Sequence, residues 1–496
     1  MIRWGISAQS HDAALAVMVD DQLVYASHGE RYSRIKNDKD LHPDQITEAM
    51  QYGEPDQLFY YERPLMKKLR QAYAGQYDLL FKQGPRSYMR KLGIHAPMTT
   101  TDHHHSHAAY GYYTSTFSEA DILVIDSIGE FTTTSLWRGR RQQLTKIIEQ
   151  KYPNSIGLWY SAMTQRLGLI PQEHEYILMG MAAFGDPKKY KSEILQDFFT
   201  CLPSKHNFNI IFKHNLHRGC QWWRPDLNTV QDLTDIAAAV QEIYTDIFKQ
   251  LLAYAAYRGT GRNLVVTGGC ALNCVANTQA YSYYEKVWIP ANPGDAGSSV
   301  GAILANNPRH ITMPTASLGT DIPGDYPIDD IISDLLSTGV SAVAAGRAEF
   351  GPRALGNRSI LADPRVVGVK DKVNALKHRE EFRPFAPAVL ISHANEYFHT
   401  PMLCNGLNSP FMQYAWPCIS PDKFPGIVHV DGTSRVQTVV NDQSGFSRLL
   451  KAWLSQTGCP MLLNTSLNIK GEPLVNTKED AQRWSHRYGI QVRTPH

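Results

Sequence analysis

The sequence predicts an α/β protein in two parts, and three observations carry that reading. Over about the first 300 residues, apolar strand runs end repeatedly in turns rich in glycine and Asp or Asn. A stretch rich in Pro, Gly, Ser and Thr, 305–328, then interrupts the pattern. Beyond it a new unit opens with a helical "IDDIISDLLSTG" and a strand-like "VSAVAAG". The boundaries are set at 1–310 for the first domain, 311–328 for a linker and 329–496 for the second domain.

Taken in order, the opening "IRWGISAQSHDAALAVMVDDQLVYASHGERYSR" reads as two strands joined by a turn at "DD". A second strand–turn–strand signal is "ADILVIDSIGEFTTTSLWRG", with helical patterns between the two. "NLVVTGGCALN" is a strand closed by a glycine pair and leading to a helix. "KVWIPANPGDAGSSVGAILA" repeats the scheme as strand, glycine turn and helix. Backbone N–H groups at such turns and helix starts favour phosphate. Three of them in one domain-sized segment point to a nucleotide site between two α/β lobes.

Composition removes several classes of function. The chain has 496 residues, 43% hydrophobic, with a net charge of +2, so bulk charge favours neither nucleic acid nor an anionic membrane. No run of about 18 apolar residues is present, so a membrane span is not expected. The N-terminus carries His and Asp where a signal peptide needs an apolar core, and a cytoplasmic protein is expected. Seven scattered cysteines without a CxxC read as reduced thiols.

The densest chemistry lies in "TDHHHSHAAYG", residues 101–111. If 103–112 is helical, His103 and His107 sit one turn apart on one face and can share a metal ion. His104 and His107 are neighbours as well, so spacing alone does not choose, and a third ligand must come from elsewhere. Two imidazoles and a carboxylate suit iron, zinc or manganese. A second cluster is basic: 346–383 holds nine Lys/Arg against five Asp/Glu, interleaved with Pro, Gly, Leu and Phe. That mixture reads as a structured pocket, in which guanidinium forks suit phosphate oxygens.

The same blocks carry a resemblance. "DHHHSHAA" is similar to the metal motif of the NodU/CmcH-type carbamoyltransferases, and "GISAQSHDAALAV", "VIDSIGEFTTTS", "EYILMGMAAFG", "VVTGGCALNCVAN" and "NPGDAG" resemble that family's blocks in the same order. So do "GRAEFGPRALGNRSILADPR", "KHREEFRPFAPAVL", "HVDGTSRVQTV" and "LLNTSLNIKGEP". The resemblance implies an actin-like ATPase (ASKHA) domain of the threonylcarbamoyl-transferase kind followed by a YrdC-like domain. It implies that carbamoyl phosphate and ATP, with Mg²⁺, give carbamoyl adenylate, and that the carbamoyl group then passes to an acceptor hydroxyl with release of AMP.

Residue by residue, it implies metal ligands His103, His107 and Asp295 holding Fe²⁺ or another divalent transition metal, and a catalytic pair His11 and Asp12. Asp126, Gly129 and Glu130 would meet the adenylate, with Gly268, Gly269 and Asn273 on a second turn. Arg347, Arg353, Arg358, Lys377, Arg379 and Arg383 would hold phosphates, and Asn464, Ser466 and Asn468 would add neutral donors. Ile177 and Ala183 depart from the family pattern, which commonly has lysine and proline there, and the chain stops sooner after "GEPLVNTKEDAQ" than many relatives do.

The acceptor is expected to be a hydroxylated small molecule, such as a natural product or sugar, or a hydroxymethylated pyrimidine in DNA. Residues 67–91 carry seven Lys/Arg and one Asp interleaved with Tyr73, Tyr77, Phe81 and Tyr88; residues 201–225 carry four Lys/Arg, three His, no acid and Trp222–Trp223. Basic residues mixed with aromatics suit a phosphate backbone and unstacked bases, so nucleic-acid contact is expected through these stretches if the acceptor is DNA. Otherwise 67–91 is a basic surface helix pair and 201–225 a substrate lid. The oligomeric state is left open. A non-catalytic metal- and nucleotide-binding module and a metallohydrolase are the competing readings.

Overall fold

The computed structural model describes residues 1–259, 261–313, 315–401 and 408–495. They form two units. The first comprises 1–29 and 37–313, and the second comprises 30–36 and 314–496.

The first unit is built on two five-stranded sheets. In one, β1 (Ile2–Ser7), β2 (Ala14–Val19) and β3 (Gln22–His28) form an antiparallel meander, and β4 (Gln57–Tyr60) and β5 (Met98–Thr100) run parallel to β1. The order is β3-β2-β1-β4-β5. The opening therefore holds three strands rather than two, because "IRWGIS" pairs along its whole length with β2. In the other sheet, β6 (Glu119–Gly129), β7 (Thr132–Arg140) and β8 (Gln143–Lys151) are the meander. After a small ribbon, β9 (Phe199–Cys201) with β10 (Ile211–Phe212), the parallel strands β11 (Asn263–Thr267) and β12 (Lys286–Trp288) complete the order β12-β11-β6-β7-β8. The two sheets thus have one topology, three antiparallel strands followed by two parallel ones, which is the duplicated actin-like arrangement. Parallel strands need crossovers, and helices supply them. The longest is Val230–Arg258, started by a capping box in which Thr229 and Asp232 satisfy each other's backbone N–H groups.

Duplication places the β1–β2 turn (8–13) and the β6–β7 turn (130–131) at corresponding points of the two sheets. Both depart from ordinary backbone: Gln9, Asp12 and Glu130 have φ of 67°, 51° and 59°. Side-chain-bearing residues in that region mark functional or strained positions.

The second unit is a mixed α/β domain. Strands β14 (Val340–Ala344), β16 (Arg358–Ala362), β17 (Ala386–Leu390), β18 (Tyr414–Pro417), β19 (Thr433–Val439), β20 (Met461–Ser466) and β21 (Val492–Arg493) form a seven-stranded sheet ordered β18-β19-β17-β20-β16-β14-β21. Beside it, β13 (Ser317–Ile322) pairs antiparallel with β15 (Gly346–Glu349). Two boundaries differ from the sequence reading. A third of the expected linker 311–328 is ordered as β13, since backbone pairing with β15 satisfies its polar groups; residue 314 of that segment lies outside the described residues. And 30–36 belongs to the second unit: Arg34 donates to the carbonyls of Leu474 and Pro473 at 2.5 and 2.9 Å, and Arg31 to that of Gly351 at 2.8 Å.

Candidate active site and metal centre

The helix His103–Tyr113 begins where Asp102 caps it, accepting the N–H of His105 at 2.9 Å. The cap turns the first helical residues inward, so His103, His104 and His107 are all buried. Asp126 reaches the same point from β6, and Asp295 from the "NPGDAG" turn after β12. Four donor atoms, one each from His103, His107, Asp126 and Asp295, lie within 4.8 Å of one another. His103 Nε2 is 3.1 Å from His107 Nε2 and 3.2 Å from Asp126 Oδ2, and His107 Nε2 is 3.2 Å from Asp295 Oδ1.

Two buried carboxylates need positive charge. Without an ion the imidazoles supply it. Burial opposes charge on His103, yet Asp295 and Asp126 outweigh it and hold the ring's pKa well above its ordinary value. Burial would likewise raise Asp295, but His103 and His11 keep it well below the carboxylate range. Two nitrogens and two carboxylates aimed at one buried point form a donor set that fits a divalent transition metal.

His11 and Asp12, on the β1–β2 turn, stand at the edge of this cluster. His11 Nε2 is 3.6 Å from Asp295 Oδ2, and Nδ1 is 3.0 Å from Asp12 Oδ2. The His11 side chain is 37% exposed, so a substrate can reach it. Burial of the ring lowers its pKa, but Asp295 and then Asp12 raise it to about 10.

The sequence reading gave the metal three ligands and left Asp126 to the adenylate. Here Asp126 serves both sides: Oδ2 faces His103, while Oδ1 accepts the N–H of Gly269 at 3.2 Å. Nothing in the local sequence signals this, because β6, β11 and the histidine helix must first be assembled. Gly268 has φ of +90°, and a Cβ there would stand 2.2 Å from the carbonyl oxygen of Ile125, so the strand-end turn needs glycine.

Other expected nucleotide contacts have different neighbours. Glu130 is buried and binds Arg63, through the backbone N–H at 2.7 Å and the guanidinium, which also pairs with Asp102 at the helix cap. Its carboxylate positions the histidine helix rather than a ligand. Asn273 caps the short helix Cys274–Asn277 and exchanges hydrogen bonds with Gln241 at 3.0 and 3.1 Å, which occupies its amide. His104 lies behind the cluster, its Nδ1 2.7 Å from Ser135 Oγ; burial and then the neighbouring rings of His103 and His107 hold it neutral, with a pKa of about 3. Ile177 is buried.

In the second unit the basic block divides by burial. Arg358 is fully buried and its guanidinium donates to the carbonyls of Asn476, Ala345, Gly346, Asn357 and Thr320 at 3.0–3.1 Å. It ties β16 to its surroundings and is withdrawn from the phosphate-binding set. Asn464 is also buried, donating to Gln437 and Ala354. Arg347 donates to the carbonyls of Leu318 and Gly319, and Arg353 is half-buried. Lys377, Ser466 and Asn468 are brought together: Lys377 Nζ donates to the Ser466 carbonyl, to Asn468 O at 2.8 Å and to Asn468 Oδ1 at 2.9 Å. Burial, and then Arg379 and Arg383, push the Lys377 ammonium well below the ordinary lysine range. Arg379 stacks over the Phe385 ring at 4.1 Å. The two guanidiniums beside Lys377 make this edge basic, which suits a polyanion.

Of the two basic–aromatic stretches, 67–91 contains two basic helices, Pro64–Tyr73 and Pro85–Lys91, joined through a short turn of helix. In 201–225 the tryptophans separate: Trp222 is 54% exposed, whereas Trp223 is buried and donates to Asp197 at 2.9 Å, so only the first is open to a ligand. Among the described residues no helix is long and apolar enough to cross a membrane.

Comparison with known proteins agrees with this geometry. The family model "Carbamoyltransferase N-terminus" matches residues 60–304, and "Carbamoyltransferase C-terminus" matches 332–493. An uncharacterised protein of Synechocystis, sll1178, is 31% identical over 580 residues, covering 97% of this chain and 93% of that one. Nodulation protein NolNO of Sinorhizobium fredii is 30% identical, covering 95% and 76%. Nodulation protein NolO of Bradyrhizobium diazoefficiens is 32% identical, covering 77% and 75%. With both halves matched in order and the histidine, aspartate and basic blocks in place, the chain belongs to the carbamoyltransferase family and is a carbamoyltransferase.

Proposed function

We propose that this carbamoyltransferase works on oxygen acceptors in two ATP-dependent steps. Carbamoyl phosphate is first hydrolysed to carbamate and phosphate. A carbamate oxygen then attacks the α-phosphorus of ATP, pyrophosphate leaves, and carbamoyl adenylate forms. In the second step the acceptor hydroxyl oxygen attacks the carbamoyl carbon, the bond to the adenylate oxygen breaks, and AMP leaves. The acceptor is a hydroxylated small molecule, such as a natural product or sugar, or a hydroxymethylated pyrimidine such as 5-hydroxymethylcytosine in DNA. Both co-substrates are cytoplasmic metabolites, and the reaction is proposed for that compartment.

The observation that carries the reading is the buried His103–His107–Asp126–Asp295 group with the exposed edge of His11 beside it. A divalent transition metal such as Fe²⁺, held by those four residues, would supply a Lewis acid that polarises the carbamoyl carbonyl. The chain's own residues do the rest. Asp12 holds Nδ1 of His11; Asp295, once neutralised by a metal, would no longer be the chief cause of a raised pKa in that ring, which leaves Nε2 to take the acceptor's proton. The Gly268–Gly269 turn, pinned by the Gly269 N–H on Asp126, lets the backbone approach the adenylate closely. In the second unit Arg379 and Arg383, with Arg347 and Arg353, bind the phosphates of ATP, which brings Mg²⁺, and of carbamoyl phosphate; Lys377, buried and held by Ser466 and Asn468, adds its charge from behind them.

The test is to incubate metal-loaded protein with ATP, Mg²⁺ and carbamoyl phosphate, with and without hydroxylated acceptors. AMP and pyrophosphate should form, and an acceptor should gain one carbamoyl group, about 43 Da, by mass spectrometry. No AMP in the presence of bound metal would overturn the adenylate route and favour a binding module or a metallohydrolase.

A further inference from the structure

A cavity of about 510 Å³ opens on the first unit, its lining including Gln9, Lys39, Asp40, Lys82, Tyr88 and Lys91. Its position follows from the β1–β2 turn. Gln9 lies in its wall and is two residues from His11, a separation of at most about 7 Å along the backbone. Gln9 is fixed there from three sides. Its φ is 67°, its N–H donates to the Lys39 carbonyl at 2.7 Å, and its Nε2 donates to the Gln83 carbonyl at 3.0 Å. Tyr88 is fixed too, its hydroxyl accepting the N–H of Leu41 at 2.7 Å. One short turn therefore builds the cavity wall with one residue and the edge of the reactive cluster with another.

The charge of the lining is uneven. Three lysines face one carboxylate, that of Asp40. The ammonium groups of Lys39, Lys82 and Lys91 form no hydrogen bond or ion pair with any described residue. Elsewhere in the same unit Lys67 holds Glu62, Lys146 holds Glu149, and Lys191 holds Glu242 and Asp246. The three lysines are exposed around one concavity and give it a positive potential, and a phosphate ester offers oxygens to all three. The adjoining Phe81 ring is 90% exposed, an open face on which a base can stack.

Resting on the carbamoyl-transfer reading, we infer that this cavity is the acceptor subsite and that the acceptor carries a phosphate ester close to the hydroxyl that is carbamoylated. The lysines hold the phosphate, and the hydroxyl is directed along the β1–β2 turn to His11.

The test pairs acceptors that differ only in a phosphate: 5-hydroxymethyl-2′-deoxycytidine with its 5′-monophosphate, and glucose with glucose 6-phosphate. A single-stranded oligonucleotide containing 5-hydroxymethylcytosine forms a third arm. Equilibrium binding to the full chain is measured first, because it requires no chemistry. At least one phosphorylated member should bind about tenfold more tightly than its partner, with the advantage fading at high salt. The variant K39A/K82A/K91A should lose that advantage while melting like the wild type, since the three ammoniums have no partner in the fold. Tighter binding of the oligonucleotide than of the mononucleotide would assign the phosphate to a nucleic-acid backbone; equal or weaker binding would assign it to a small phosphorylated acceptor. Equal affinity within both pairs, or a preference that survives the triple replacement, overturns the inference. Failure of the two-step reading is seen separately, as absence of AMP formation by the wild type.

Discussion

Gly129 lies so close to His103 that a Cβ added to the glycine would stand 2.2 Å from the ring's Cδ2. The backbone of β6 thus presses directly on the first histidine of the donor cluster. Gly129→Ala must push the ring away from its neighbours, because the other side is closed by Tyr61, whose ring centre is 5.2 Å distant. The expected outcome is a loss of about 1–3 kcal/mol in stability together with a clear drop in bound transition metal. Urea unfolding and elemental analysis of the purified protein read the two effects, and full metal occupancy in the variant would show that the ring has another place to go.

Asp126 is expected to count as a ligand and not only as a backbone anchor. Asp126→Asn keeps the shape and an oxygen for the Gly269 N–H but removes the charge facing His103. Metal affinity should fall by about 10–100-fold, measured by competition with a chelator. An affinity equal to wild type would restrict the site to His103, His107 and Asp295.

Lys377 predicts a proton linked to nucleotide binding. Its ammonium is disfavoured in the folded protein by burial and by Arg379 and Arg383, so the folded pKa is depressed. An anionic ligand favours the charged form and raises that pKa. Between the depressed value and the value in the complex, binding must therefore take up a proton, and affinity for ATP must fall as pH rises through that window. Calorimetry in two buffers of different ionisation enthalpy measures the uptake. Lys377→Met should abolish it, and a wild-type protein that binds ATP without proton uptake at any pH below the ordinary lysine pKa, about 10.4, would contradict the arrangement.

Arg358 and Arg353 should separate when replaced. Arg358→Ala leaves five carbonyls without their donor in a dry interior and should cost about 3–5 kcal/mol, with loss of soluble protein. Burial lowers the guanidinium's pKa only to about 10, so it remains charged at neutral pH and lysine cannot reproduce its fork. Arg353→Ala, at a half-buried position, should cost less stability than Arg358→Ala and raise KM for ATP or carbamoyl phosphate. Steady-state kinetics beside thermal melts distinguish the two.

The sequence reveals elements whose signal is local. Strand β2, the β6–β7 pair, the "VVTGG" strand end and the helix from His103 all follow from alternation, turn residues or a cap, and the structure has each of them. The His103–His107 pair is legible for the same reason, since one helical turn sets it. What lies beyond reach depends on long-range pairing. Asp126 joins the histidines only after β6 has been placed beside β11. Arg358 reads as one more phosphate fork until β16 is seen buried in its sheet, with carbonyls from 320 and 476 around it. The segment 317–322 resembles a linker by composition because an edge ribbon needs few apolar residues.

The excursion of residues 30–36 into the second unit has a consequence for how the polypeptide is made. Arg34 finds its carbonyl partner at Leu474, 440 positions later. A ribosome must therefore complete almost the whole chain before the second unit can close, while the first unit waits with a stretch of its own backbone held open. Expressing the halves as separate polypeptides cut near 314 would leave the C-terminal piece without Arg31 and Arg34. Supplying 30–36 in trans, or fusing it ahead of 315, is what such a piece would need to fold.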